Sequence, residues 1–340
     1  MTTVDLESTA TCLVADGKGI LAADETPGTL TKRFEKLSIQ STPESRRTYR
    51  EMLFSAGIEQ FISGVILQDE TIRQQGSNGT PFPEVLAHRG IIPGIKVDTG
   101  AKRLAGTEEN ITEGLDGLRD RLKDYFQMGA RFAKWRAVIR IGNSLPTRAC
   151  VLANAHSLAR YAALCQEQGL VPIVEPEVLM DGSHPIERCE QVTGNVLQAT
   201  FEALFEQMVS LEGMLLKPNM VIAGKESSHQ ASIENAARAT LRCLRRRAPA
   251  AVPGIVFLSG GQDHLTATLH LNAINQLGGP KPWKLSFSYG RALQDEALQA
   301  WQGKPENLES GQKAFAHRAE CVSAAALGKY TKAMESELAA

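Results

Sequence analysis

Lys217 stands between Leu215-Leu216 and Pro218, so its stem is expected to be buried. A desolvated amine loses its proton more readily than one in water, and more readily still beside a second cation. The free amine is a nucleophile toward carbonyl carbon. Lys134, inside Arg131 to Ile139 (RFAKWRAVI), is the candidate for that second cation. Carboxylates recur at comparable places: Asp24 closes Gly19-Ile-Leu-Ala-Ala-Asp24, and Glu175 and Glu177 lie in Leu170 to Glu177 (LVPIVEPE). Residues two apart on a strand face the same side, so Lys134 and Arg136 share a face, as do Glu175 and Glu177. With Lys96 and Arg291 there are five cations (Lys96, Lys134, Arg136, Lys217, Arg291) against three carboxylates, a surplus of +2. A pit of that sign suits an anionic substrate. A lone lysine at a strand end is commonly solvated or ion-paired, and Glu-Pro-Glu can be a loop edge. The combination carries the weight, because buried parallel strands otherwise read Val, Ile and Leu.

Two further segments suit an anion. Ser259-Gly260-Gly261-Gln262 fits a backbone-amide cradle for phosphate, since glycine lets the chain approach the oxygens and the following helix start adds partial positive charge. Ser288-Tyr289-Gly290-Arg291 supplies a hydroxyl, a glycine and a guanidinium able to grip phosphate with charge-assisted hydrogen bonds. Metal chemistry is poorly supported. The seven histidines (88, 156, 184, 229, 264, 270 and 317) form no HExxH, and His264 and His270 are six apart. The six cysteines (12, 150, 165, 189, 243 and 321) form no CxxC and read as reduced thiols. No metal and no cofactor are expected.

These residues need a scaffold that gathers strand ends. Eight short apolar runs recur: 19–24, 64–68, 91–98, 131–139, 170–177, 214–217, 255–259 and 284–288. Their starts are 27 to 45 residues apart, room for a crossover helix each time. Between them, Glu187 to Met208 carries apolar residues at three-and-four spacings, Val151 to Gln168 has the same character, and Gln312 to Leu327 is alanine-rich. Gly129, Gly169, Gly213 and Gly254 are expected to cap helices before strands. Thr71 to Pro83 is the expected long loop. The alternation predicts an α/β fold, one parallel (β/α)8 TIM barrel over residues 1–340 with a short tail at 331–340. A doubly wound open sheet is the rival, but no GxGxxG turn is present. In such a barrel, catalytic groups stand where strands meet the following loops, and phosphates are often held after strands seven and eight. The SGG and SYGR segments end those two runs.

Composition sets the outer limits. In 340 residues, 37 Lys plus Arg face 38 Asp plus Glu, a net charge of −1, which argues against a general affinity for nucleic acid or acidic membranes. Hydrophobic residues make up 43%, too many for disorder. No secretory signal, transit peptide or 18-residue apolar stretch is seen, so a cytoplasmic protein is expected.

Seven segments, in order, resemble the class I, Schiff-base fructose-bisphosphate aldolases: GILAADE (19–25), GIKVD (94–98), FAKWR (132–136), VEPE (174–177), LLKPNM (215–220), FLSGGQ (257–262) and FSYGRAL (287–293). The match runs to Tyr330. The resemblance implies reversible aldol cleavage of fructose 1,6-bisphosphate to dihydroxyacetone phosphate and glyceraldehyde 3-phosphate, in glycolysis and gluconeogenesis. It makes Lys217 the amine that attacks the ketone and Glu175 the acid/base for Schiff-base formation. Asp24 becomes the carboxylate at the C4 hydroxyl, Lys134 a cation near the reacting carbons and Glu177 a support for the charge network. Ser259, Gly260, Gly261, Ser288, Gly290 and Arg291 match the C1-phosphate site. Arg33 and Lys96, with Thr29 nearby, match groups for the C6 phosphate, and Arg136 is counted among the substrate-binding residues. A sugar-phosphate substrate and a homotetramer are implied. Many eukaryotic members carry a tail ending in a tyrosine that aids proton transfer. Here Tyr330 is followed by ten residues ending Ser336-Glu-Leu-Ala-Ala340, and Thr29 and Thr99 stand where animal members have serine and lysine. Another imine-forming barrel, such as a transaldolase, and a non-catalytic scaffold are the competing readings.

Overall fold

The structure is a computed structural model that describes residues 3–339. Ten strands occur in chain order: β1 (Gly19–Ala22), β2 (Ile62–Leu67), β3 (Ile92–Lys96), β4 (Gly100–Arg103), β5 (Asn110–Glu113), β6 (Phe132–Ile139), β7 (Val171–Val178), β8 (Leu215–Leu216), β9 (Gly254–Phe257) and β10 (Lys284–Tyr289). Eight of them close in the order β1-β2-β3-β6-β7-β8-β9-β10 and back to β1, all neighbours parallel. This is the expected (β/α)8 barrel. The other two, β4 and β5, form an antiparallel hairpin outside it. Their short polar sequences, GAKR and NITE, show no apolar alternation by which to find them.

The barrel strands are buried on both faces, which is why they read as continuous Val, Ile, Leu and Phe. Leu6, Ala10 and Leu13 of the N-terminal helix Thr3–Leu13, with Val14, pack against Ile20, Ile66, Phe132, Val171, Ile173, Leu215 and Val256. That cluster fills the barrel interior. The glycines in the strands make room for neighbouring side chains. A Cβ on Gly94 would lie 2.3 Å from the Phe132 ring, one on Gly19 2.5 Å from the Phe287 ring, and one on Gly254 2.4 Å from Val14. Gly129 and Gly169 do take the left-handed conformation expected of helix ends, at φ +103° and +77°. Gly254 instead belongs to β9, and Gly213 is small to admit Leu6, 3.1 Å from where its Cβ would be. Bulk, and not backbone conformation, explains those two.

The predicted helices are present as Arg148–Glu167, Ile186–Glu206 and Leu308–Ala326. The last starts earlier than expected and takes in Gly311, whose missing Cβ leaves space for Met52 (2.5 Å). The expected long loop, Thr71 to Pro83, is present and is trimmed at its two ends by the helices Asp69–Ile72 and Phe82–His88, which leave residues 73–81 between them. Among the described residues no helix is long and apolar enough to cross a membrane. The tail folds as a 3-10 helix, Lys332–Ala339, and Ala340 lies outside the described residues.

Register sets up the chemistry. Lys96 on β3 sits opposite Lys134 on β6, and Arg136 sits opposite Glu175 on β7. On β8, Leu216 pairs with Val174, and the Lys217 N–H donates to Val174 O (2.8 Å), which carries Lys217 alongside Glu175. Substituting Gly94→Ala is expected to lower the unfolding free energy by about 1–3 kcal/mol through overpacking against Phe132. Urea titration checks this, and an unchanged midpoint would mean that Phe132 does not constrain the strand.

Candidate active site

One cavity of about 520 Å³ opens at the C-terminal ends of the barrel strands. All fifteen site residues expected from the sequence line it: Lys217, Glu175, Asp24, Lys134, Glu177, Arg33, Lys96, Arg136, Ser259, Gly260, Gly261, Ser288, Gly290, Arg291 and Thr29. Counting every charged residue in its wall gives nine cations and five carboxylates, a formal surplus of +4. The sequence-based surplus had the right sign and was too small. It leaves out Arg33 and Lys32 of the helix Pro27–Glu35, Lys36 at that helix's C-terminal cap, and Lys225, together with the carboxylates Glu25 and Asp181. The three-and-four spacing of Thr29, Lys32, Arg33 and Lys36 was the available signal for Lys32 and Lys36.

At the floor, four buried or partly buried groups form a chain. Lys134 Nζ lies 2.7 Å from Asp24 Oδ2 and 3.5 Å from Glu175 Oε2, and Glu175 Oε1 lies 3.4 Å from Lys217 Nζ. Lys134, Glu175 and Lys217 have side chains 4% exposed, so these charges act on one another through little water. Burial pushes the Lys217 amine below the ordinary lysine range; Glu175 opposes that shift and the Lys134 charge adds to it. Burial acts on Lys134 in the same direction, but Asp24, Glu175 and Asp98 outweigh it and hold Lys134 above the usual range. For Asp24, burial favours the acid form, yet Lys134, Lys217 and Lys96 overcome it and keep the carboxyl well below the usual carboxylate range. Two lysines on either side of one carboxylate are thus driven in opposite directions, one toward the neutral amine and one toward the ammonium.

The rim divides into two ends. At one, Gly260 and Gly261 both have positive φ (+61° and +86°), a backbone that side-chain-bearing residues rarely adopt. Ser259 is held from behind. Gln262 Nε2 donates to Ser259 O (3.0 Å), which turns Gln262 Oε1 toward His270 Nδ1 at 2.6 Å. Burial pushes the His270 imidazole down to about 4, so the ring is neutral and donates from Nδ1. The helix after this loop, His264–Gln276, is capped by Asp263, which accepts from Thr266 N (2.9 Å). The helix Arg291–Trp301 starts straight after Gly290 with no side-chain cap. Its first-turn N–H groups and dipole therefore face the same rim, an open anion-binding terminus. Ser288 Oγ is buried without a hydrogen-bond partner, and Arg291 has no ion pair among the described residues.

At the other end, the expected cations are already paired. Arg33 contacts Glu25 (2.5 Å) and Asp295 (2.7 Å), Lys96 contacts Asp98 Oδ1 (2.5 Å), and Arg136 contacts Glu177. Glu25 and Asp98 are residues the sequence reading did not single out. Thr29 lies in the first turn of Pro27–Glu35, where Thr26 Oγ1 accepts from its N–H (3.3 Å). Lys32 and Lys36 are exposed and carry no ion pair among the described residues. No three His, Cys, Asp or Glu side chains among the described residues come together as a metal site.

The family model described as "Fructose-bisphosphate aldolase class-I" matches residues 5–340. The chain belongs to the class-I fructose-bisphosphate aldolases. It is 55% identical over 333 residues to a probable fructose-bisphosphate aldolase class 1 of Xylella fastidiosa, covering 97% of this chain and 99% of that one. It is 54% identical over 330 residues to the cytosolic fructose-bisphosphate aldolase 4 of Arabidopsis thaliana, covering 96% and 84%. A solved structure of the aldolase from Plasmodium falciparum, in complex with TRAP and a small-molecule inhibitor, superposes with a TM-score of 0.95 at 50% identity, covering 96% and 95% of the two chains. As an aldolase of this class the chain is a metal-independent lyase that splits fructose 1,6-bisphosphate reversibly into two triose phosphates, a glycolytic reaction. The match leaves no room for the competing transaldolase reading.

Removing the cation beside the nucleophile should be visible directly. In Lys134→Met, the pH midpoint for reductive alkylation of Lys217 is expected to move alkaline, because one of the charges opposing its protonation is gone. An unmoved midpoint would show that Lys134 does not tune the amine.

Proposed function

We propose that Lys217 is the Schiff-base lysine of this aldolase. Its depressed basicity supports the reading, because only the neutral amine has a lone pair to add to the C2 ketone. Addition gives a carbinolamine, and loss of water gives a protonated imine. Glu175, within ion-pair reach of both Lys217 and Lys134, shuttles the proton that leaves the amine and the one that departs with the water. Asp24 takes the proton of the C4 hydroxyl. The C3–C4 bonding electrons then flow into the iminium, releasing glyceraldehyde 3-phosphate and leaving an enamine on Lys217. Protonation at C3 and hydrolysis return dihydroxyacetone phosphate and the free amine.

Lys134 holds Asp24 ionised, but so tightly that the carboxylate is a poor base until the pair loosens. In this proposal substrate hydroxyls draw off Lys134 donors on binding, and Asp24 becomes basic enough to act. Glu177 keeps Arg136 in place at the rim. Ser259, Gly260, Gly261, Ser288, Gly290 and Arg291 hold the C1 phosphate. Thr29, Arg33, Lys96 and Arg136, joined by Lys32 and Lys36, hold the C6 phosphate. Residues 1–340 act as one catalytic unit with the tail at 331–340.

The enzyme works in the cytoplasm as a homotetramer on this reading. Phe205 and Met208, at the end of the helix Ile186–Glu206, are 83% and 90% exposed, an apolar pair suited to cover by a second copy. Sedimentation of the purified chain is expected to give the tetramer mass, with a smaller species for Phe205→Asp/Met208→Asp; a monomeric native chain would contradict this part.

The catalytic assignment is tested by Lys217→Met, which should leave less than about one part in a thousand of kcat, the loss expected when a covalent nucleophile is deleted. The circular dichroism spectrum should be unchanged. Wild-type-like turnover in that variant, or native activity abolished by EDTA, would overturn it.

A further inference from the structure

The loops that follow β7 and β8 are joined edge to edge. Lys225 N donates to Met180 O (2.8 Å), Glu226 N to Gly182 O (3.0 Å) and Gly224 N to His184 O (2.9 Å). Gly224 is required for this contact, since a Cβ there would lie 2.1 Å from Gly182 O. The backbone of Lys225 is therefore fixed by two neighbouring loops while its side chain reaches toward a third. The position that a Cβ on Gly261 would occupy is 3.1 Å from Lys225 Nζ and also 3.1 Å from Arg291 Nη2. Two cations from different loops converge on the same glycine, no farther apart than twice that distance, a span that one tetrahedral dianion bridges.

What holds Lys225 otherwise is weak. Its ion pair to Asp181 is long, 3.4 Å, and the two side chains are 44% and 62% exposed. Exposed pairs of this kind contribute little, because water and salt screen them. A phosphate dianion seated on the Ser259–Gly261 backbone offers Lys225 a stronger partner at no cost in backbone movement.

We propose that Lys225 is a binding residue of the C1-phosphate subsite, a second cation opposite Arg291. The inference rests on the assignment of that subsite to Ser259–Gly261 and Ser288–Arg291. Lysine is a mobile point charge and the arginine a fixed fork. Arg291 therefore orients the phosphate, and Lys225 closes over it from the β8 side.

Fructose 1-phosphate, with its single phosphate at C1, is the substrate that isolates the effect. Lys225→Met is expected to raise its KM roughly tenfold, as loss of one charge-assisted hydrogen bond does, with kcat within about twofold of native. Lys225→Arg should restore most of the loss, and Asp181→Asn should leave KM at or below the native value. An unchanged KM in Lys225→Met overturns the proposal. So does an equal rise in Asp181→Asn, which would make the Lys225–Asp181 pair a loop fastener. Preserved kcat in Lys225→Met keeps the aldolase mechanism intact whichever way KM moves, so the two readings fail separately.

Discussion

A lysine that must be neutral to react, held inside a cavity that must be positive to attract its substrate, is the constraint around which this barrel is arranged. The two demands conflict for a solvated amine near pH 7, which stays protonated. Here they are reconciled by burial. Lys217 loses the water that would stabilise its ammonium, while Lys134, equally buried, keeps its proton through Asp24 and Glu175. The carboxylates are few and belong mostly to particular cations, so the cavity remains positive while each buried charge has a partner. An unpaired buried ion would cost several kcal/mol.

The same economy separates paired cations from free ones. Cations that have carboxylate partners (Lys134, Arg33, Lys96, Arg136) are positioned before substrate arrives. Those without one among the described residues (Arg291, Lys32, Lys36) stand at the mouth, where a phosphate can neutralise them. Backbone groups complete the phosphate end. The two glycines with positive φ bring the chain close, and the uncapped start of Arg291–Trp301 adds its dipole. The packed barrel interior, with Phe132 crowding Gly94 and the N-terminal helix packed against it, gives these loops a rigid base.

Much of this was legible because the charged groups of the floor and the two phosphate segments sit within or at the end of apolar runs. A lysine after Leu215-Leu216 or a Glu-Pro-Glu inside Val-Ile runs departs from what a buried strand otherwise holds. The eight runs also predicted the barrel, since parallel strands need long crossovers. What stayed hidden was pairing and conformation. Glu25 and Asp98 look like ordinary surface acids until the fold sets them against Arg33 and Lys96. Lys225 lies in a polar stretch and gains meaning only from Gly224 packing on Gly182. Gly254 reads as a helix cap in sequence and proves to be a space for Val14, because what it excludes comes from a residue about 240 positions away, beyond the reach of any local turn rule.

The amine at 217 can be caught in the act. Incubating the native chain with dihydroxyacetone phosphate and then sodium borohydride reduces any imine to a stable secondary amine. Peptide mapping by mass spectrometry is predicted to place that adduct on Lys217, in equal yield with EDTA present. Absence of an adduct, or its appearance on Lys134 or another lysine, would contradict the account.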